Sequence, residues 1–188
     1  MAGVGAELHA DCAQCFGLCC VAPSFAKSTD FALDKPAGVA CPHLQPDSRC
    51  GIHTTLRADG FRGCTVFDCF GAGQQVSQVI FGGRDWREHP ESARAMFDCF
   101  LVMRSLHELR WYLEQAQRLV AGGAVKDDLA DQSAFLARAA ALRADELTQL
   151  DVPGIRAQVN LLLLRVSELL RTQAGGLGTE YRAADLVG

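Results

Sequence analysis

No stretch of this sequence is long and apolar enough to cross a bilayer. The richest window, Val159 to Leu170, is broken by Asn160, Arg165 and Glu168, whereas a helical span needs about 20 apolar residues. Met1 to Asp11 has neither a basic start nor an apolar h-region, so no secretory signal is expected and a cytoplasmic placement is. Clustered Lys and Arg are missing as well. Eighteen basic against 22 acidic residues leave a net charge of −4, with no electrostatic footprint for phosphate backbones, so direct nucleic-acid binding is not expected. At 49% hydrophobic residues the chain is not of disordered type either.

Catalytic signatures are equally scarce. Gly71-Ala72-Gly73 lacks the preceding long strand and the following glycine or lysine of a nucleotide loop. Glu108, Glu114, Asp127 and Asp128 show no spacing that pairs carboxylates for acid–base work, and no Ser/His/Asp order stands out. The reading therefore leans away from an enzyme.

What the chain does have is cysteine, very unevenly placed. Of nine, eight fall between positions 12 and 69: Cys12, Cys15, Cys19, Cys20, Cys41, Cys50, Cys64 and Cys69. A reducing compartment turns such density toward metal ligation or catalysis before disulfides, although a disulfide framework is the bland alternative. Thiolate sulfur is soft and suits zinc and iron, four thiolates satisfying one tetrahedral ion. Cys12-Ala-Gln-Cys15 is a knuckle spacing that lets two thiolates converge. Adjacent side chains point apart, so Cys19 and Cys20 serve different sites or one of them is a bystander. Zinc and an iron–sulfur cluster are both compatible with four thiolates, and eight donors allow two mononuclear ions or one cluster with spare thiols. His43 and His53 read as loop histidines donating hydrogen bonds. Cys99, among Met96, Phe97 and Phe100, reads as a buried apolar cysteine, and His107 and Trp111, one helical turn apart, read as packing partners.

Taken in order, Cys12-x2-Cys15-x3-Cys19-Cys20, Cys41-Pro-His-Leu44, Cys50-Gly-Ile-His53 and Cys64-x2-Phe67-Asp68-Cys69 resemble the YkgJ-type zinc- or iron-chelating cysteine-cluster family. Leu56-Arg57-Ala58-Asp59-Gly60 replaces the Arg-Pro usual there between the third and fourth elements, and the opening spacing is one residue longer than the family's shortest form. The resemblance implies metal binding, by an iron–sulfur cluster in some relatives and by zinc in others.

The organisation expected is mainly α, with an irregular cysteine-rich metal-binding domain at 8–86 followed by an antiparallel three-helix bundle at 90–175. The first part is rich in Gly, Pro and turn chemistry, as in Lys35-Pro36-Ala37-Gly38, and a metal staple would supply the stability its small core lacks. Gln75 to Phe81 could be a strand, closed by Gly82-Gly83. From Pro90 the apolar residues recur every three to four positions, predicting helices from Pro90 to Val120, from about Asp127 to Gln149 and from about Ile155 to Thr172. Leftover apolar surface on them could make a homodimer face. Ala184-Asp185-Leu186-Val187-Gly188 matches one pentapeptide unit, so 180–188 reads as the start of such a repeat in a longer protein. The whole then resembles pentapeptide-repeat proteins of actinobacterial type, some of whose superfamily mimic DNA and bind DNA gyrase. That resemblance implies a gyrase partner only if repeats follow.

The function expected is a metal-binding module, structural or sensory, attached to a helical and repeat protein. The alternatives are an iron–sulfur redox or methyl-transfer enzyme component and a metal storage or delivery protein.

Overall fold

The structure, a computed structural model, describes residues 5–173. The expected pentapeptide start at 180–188 lies outside them. The described chain is mainly helical, and its only β pairings are isolated bridges, Phe25 with Lys35 and Leu44 with Cys50.

Short 3-10 turns at Ala6–Leu8 and Cys12–Gln14 lead into α1, Leu18–Val21. Loops then run to α2, Arg62–Val66, and α3, Ala72–Gln74, which continues as a π-helical turn over Gln75–Ile80. The strand expected over Gln75 to Phe81 is therefore absent. Val, Ile and Phe suit a strand by propensity, but burial asks for a helical spacing here. Val76 and Ser77 turn into the core while Val79 stays exposed. Gly71, at φ 75°, begins the helix from the left-handed region. A Cβ there would lie 2.0 Å from the Glu7 carbonyl oxygen, so the position requires glycine on two counts.

Beyond Trp86, Pro90–Ser92 forms a 3-10 turn that opens α4, Ala93–Leu119. Its inner face carries Met96, Phe100, Met103, Leu106, Leu109 and Leu113, all fully buried, at the period of an apolar helical stripe. α5, Ala124–Ala139, starts after Gly123 at φ 87°. A single helix to Gln149 was the expectation, and the chain instead stops at Ala139. Arg143 adopts extended backbone, and α6, Ala144–Leu147, restarts with the Glu146 carboxylate accepting from the Arg143 N–H. The Ala-rich run hides this break because alanine is favourable on both sides of it. The restart drives Leu147 fully into the core. α7, Val152–Gln173, has Pro153 in its first turn, where the missing N–H costs nothing. It packs on α4 and α5 through Ile155, Val159, Leu162 and Val166. Ion pairs Arg156–Glu108 at 2.8 Å and Arg165–Asp128 at 2.7 Å line its edges.

The hydrophobic core is continuous. Leu18, Val21 and Ala22 of the first part, with Ala72 and Val76, join the α4 stripe in the same cluster as Leu129, Leu136 and Val159. The irregular region is thus built along α4, meeting it through Trp86 and Phe97, Asp68 and Arg104, and Glu7 and Arg110, and the other long helices pack on the same helix. Among the described residues no helix is long and apolar enough to cross a membrane.

Candidate functional site

The thiols are set by loops whose polar groups tie them to helices. Asp11 caps the first cysteine turn, accepting from Ala13 N at 3.0 Å. That turn is then gripped from the other end of the region. Gln74 accepts from Asp11 N at 3.1 Å and donates to His9 O at 2.7 Å, and Gln78 donates to Gln14 O at 2.9 Å. The Ser77 hydroxyl accepts from Phe16 N at 3.1 Å, and the Trp86 indole donates to Phe16 O at 2.9 Å.

Gly73 faces Cys15 so closely that a Cβ would sit 2.6 Å from the sulfur. Helix propensity alone favours Gly73→Ala by about 1 kcal/mol, but the collision reverses the sign. The variant is expected to lose about 1–3 kcal/mol, as over-packed cores do. Cys15 should also alkylate faster than in the wild type. A urea titration and a timed alkylation check both points, and an unchanged midpoint with an unchanged rate would refute them.

Several sulfurs already have thiolate-favouring donors aimed at them. The backbone N–H groups of Leu18 and Gly17 and the Ser77 hydroxyl point at Cys15, the His43 N–H at Cys41, and the Ile52 N–H at Cys50. These donors stabilise negative sulfur, the form that binds metal. Burial opposes them and holds the Cys12, Cys15, Cys41 and Cys50 thiols above their ordinary value, with Cys64 pushed up to about 11. Cys19 and Cys20 split. Cys19 keeps its proton, mainly by donating it to Cys20, while that bond and Cys50 bring Cys20 down to about 7. Cys20 is therefore the thiol nearest to ionising at neutral pH.

A buried cation stands beside them. Lys35 is 3% exposed, and its ammonium donates to the carbonyls of Val21, Val39 and Pro36 at 3.0, 3.0 and 3.2 Å. It lies 5.4 Å from the Phe25 ring centroid and feels Cys41, Cys20 and Cys19. Nothing in the sequence singled out this lysine, which sits in what reads as an ordinary Lys-Pro-Ala-Gly turn.

The last thiol, Cys69, is held from α4. Arg104 donates to Asp68 O at 3.1 Å and His107 Nδ1 donates to Phe70 O at 2.7 Å, on either side of Cys69. Phe70, at φ 49°, is one of two non-glycine residues in the left-handed region among the described residues. His107 was expected to pack with Trp111, and its polar contact is instead with Phe70, whose ring Trp111 meets at 5.9 Å. His43 packs edge-on against Phe61 at 5.1 Å. Cys99 is fully buried and lies 3.5 Å from Ala144 O, away from the other eight.

All nine cysteines are free. Among the described residues, no three His, Cys, Asp or Glu side chains already meet in an arrangement that could hold an ion. The thiols are neighbours whose surroundings favour the protonated form at Cys12, Cys15, Cys19, Cys41, Cys50 and Cys64 but not at Cys20, and closing a shell requires them to lose those protons. Such a donor set fits zinc or an iron–sulfur cluster in chemical type.

The chain matches no protein-family profile and no solved structure. It is 48% identical over 168 residues to Uncharacterized protein YybG of Bacillus subtilis (strain 168), across 89% of this chain and 60% of that protein. The chain thus spans less than two thirds of that relative's length.

Proposed function

We propose that this chain is a metal-binding cysteine-cluster module, structural or sensory, within a longer cytoplasmic protein. It comprises an irregular cysteine-rich metal-binding domain and an antiparallel three-helix bundle. The observation that carries the reading is the gathering of Cys12, Cys15, Cys19, Cys20, Cys41, Cys50, Cys64 and Cys69 beside a buried lysine, with backbone donors on Cys15, Cys41 and Cys50. Thiolates so placed would hold zinc, a closed site that contributes folding energy directly, or an iron–sulfur cluster. A fully thiolate-ligated zinc has no open position for substrate, which favours a structural or sensory role over catalysis. The scarcity of core in the loops between residues 23 and 61 supports the same view, because bound metal would supply stability that packing there does not.

Metal and acid-labile sulfide quantification on anaerobically purified protein tests this. Metal without sulfide means zinc-type sites, whereas iron with equal sulfide means a cluster and reopens the redox reading. Protein that holds neither, even after anaerobic reconstitution, ends the proposal. Where metal is found, its removal by a chelator is expected to loosen residues 9–81 while α4, α5 and α7 keep their helical signal. Hydrogen exchange reads that difference, and uniform protection before and after chelation would rule out a structural role.

A further inference from the structure

The eight clustered thiols are not one crowd. The segment 69–78 folds back over residues 9–19 through the Gln74, Gln78 and Ser77 bonds, and the Cys69 carbonyl accepts from Ala72 N at 2.9 Å as α3 begins. This clasp seats Cys15 against Gly73. It also brings Cys69 within electrostatic reach of Cys12, Cys15 and Cys19.

The others assemble around Cys20, the next residue along α1. The Cys50 thiol neighbours Cys20 and favours negative charge there, and Cys41 N donates to Cys20 O at 2.9 Å. The Leu44–Cys50 bridge and the 2.8 Å bond from Gly51 N to His43 O hold the Cys41 and Cys50 loops together. The His43–Phe61 contact docks the α2 turn on those loops, and Cys64 N donates to Phe61 O at 3.1 Å. Cys64 accordingly feels Cys20, Cys50 and Cys41. The couplings that cross between the gatherings, Cys12 with Cys20 and Cys19 with Cys20, both end on Cys20.

Resting on the metal-binding reading above, we infer that the eight thiols form two four-thiolate sites sharing the Cys19–Cys20 peptide. Cys12, Cys15, Cys19 and Cys69 make one site, and Cys20, Cys41, Cys50 and Cys64 make the other. Neighbouring residues on a helical turn project about 100° apart, so the tandem pair feeds two sites and neither cysteine is a bystander. Eight thiolates fill two tetrahedral shells with none left over. Lys35, which neighbours Cys20, Cys41 and Cys19, offsets part of the charge that accumulates where the sites adjoin. The sites differ in anchorage. The first is tied to α4 through the Arg104 and His107 bonds around Cys69, while the second is carried by loops and the five-residue α2. The second site therefore exchanges its ion faster.

Anaerobic reconstitution of the full chain with Zn2+, followed by metal counting and alkylation mapping by mass spectrometry, tests the division. Two zinc ions per wild-type chain are expected, with one released markedly faster to a competing chelator. In Cys69→Ser, one ion should remain, with Cys12, Cys15 and Cys19 alkylated and Cys20, Cys41, Cys50 and Cys64 protected. Cys64→Ser should give the reverse pattern. One ion per wild-type chain overturns the division while leaving the metal reading intact, and no ion at all overturns both. A folded variant in which alkylation spreads over both groups also overturns it. The wild-type count stands even if a variant does not fold.

Discussion

Replacing Lys35 with methionine is expected to destabilise the protein by about 3 kcal/mol and to weaken metal binding about tenfold. The substitution keeps the apolar stem but removes the ammonium's bonds to three carbonyls; those of Val21 and Pro36 keep the Gly38 and Val39 N–H donors, and that of Val39 is left without one among the described residues. Relief of a desolvated ammonium works the other way, since burial already holds Lys35 below its ordinary value. Each charge-assisted bond of this kind contributes about 1.5–3 kcal/mol and the donorless Val39 carbonyl costs about 1–3 kcal/mol, which together outweigh that relief. The metal effect is separate. Removing one positive charge beside Cys41, Cys20 and Cys19 makes added thiolate charge less favourable, by about 1.4 kcal/mol if the interaction is partly shielded. Urea unfolding of the metal-free protein isolates the first effect and chelator competition the second. A variant that unfolds at the wild-type midpoint would show that the ammonium contributes nothing net to its pocket.

The second large effect is acid sensitivity centred on His107. Its ring is 1% exposed, donates from Nδ1 to Phe70 O, and leaves Nε2 without a hydrogen-bond partner among the described residues. Burial, aided by Arg110, pulls its pKa down from 6.5 to about 4. Because the folded value lies below the unfolded one, the stability involved is fully present above pH 6.5. It is lost as pH falls through 6.5 toward 4, as the unfolded chain takes up a proton that the folded one refuses. The difference corresponds to about 3 kcal/mol at the acid end. His107→Gln keeps an N–H for Phe70 and cannot titrate. Its stability should fall less steeply than the wild type's between pH 7 and pH 4. Acid also ejects metal by protonating thiolates, so both proteins are compared metal-free. Parallel pH profiles for the two would contradict the assignment.

The helices beyond Pro90 were legible because their cores repeat every three to four residues, and α4 and α7 lie close to where that period put them. The break between α5 and α6 was not, because a helix end made by Arg143 and Glu146 carries no glycine or proline to announce it. Val76, Ile80 and Phe81 suggested a strand for a local reason, and tertiary packing against Cys15 and Phe16 overrode it. Linear spacing marked all eight cysteines but could not sort them. Cys69 is five residues from Cys64 in the chain, yet its neighbours are Cys12, Cys15 and Cys19, because the Gln74 and Gln78 clasp returns it to the opening knuckle. Lys35 escaped notice because its burial is created by carbonyls from residues on both sides of it, which no residue pattern records.

That clasp also bears on the order of assembly. The bonds from Gln74, Ser77, Gln78 and Trp86 to residues 9–16 join positions 61 to 70 apart. Closing so long a loop must be compensated by contacts formed elsewhere, so the opening knuckle docks after α3 and its π-turn have found α4. On the ribosome, Cys12, Cys15, Cys19 and Cys20 emerge first and wait unpaired until that docking surface follows, about 5–20 residues being added each second. For several seconds in every synthesis the thiols are open to oxidation or to capture of the wrong ion. A nascent chain halted before α4 should therefore react with thiol reagents at all four positions, and a released chain should react more slowly at Cys15 and Cys20, which folding partly buries.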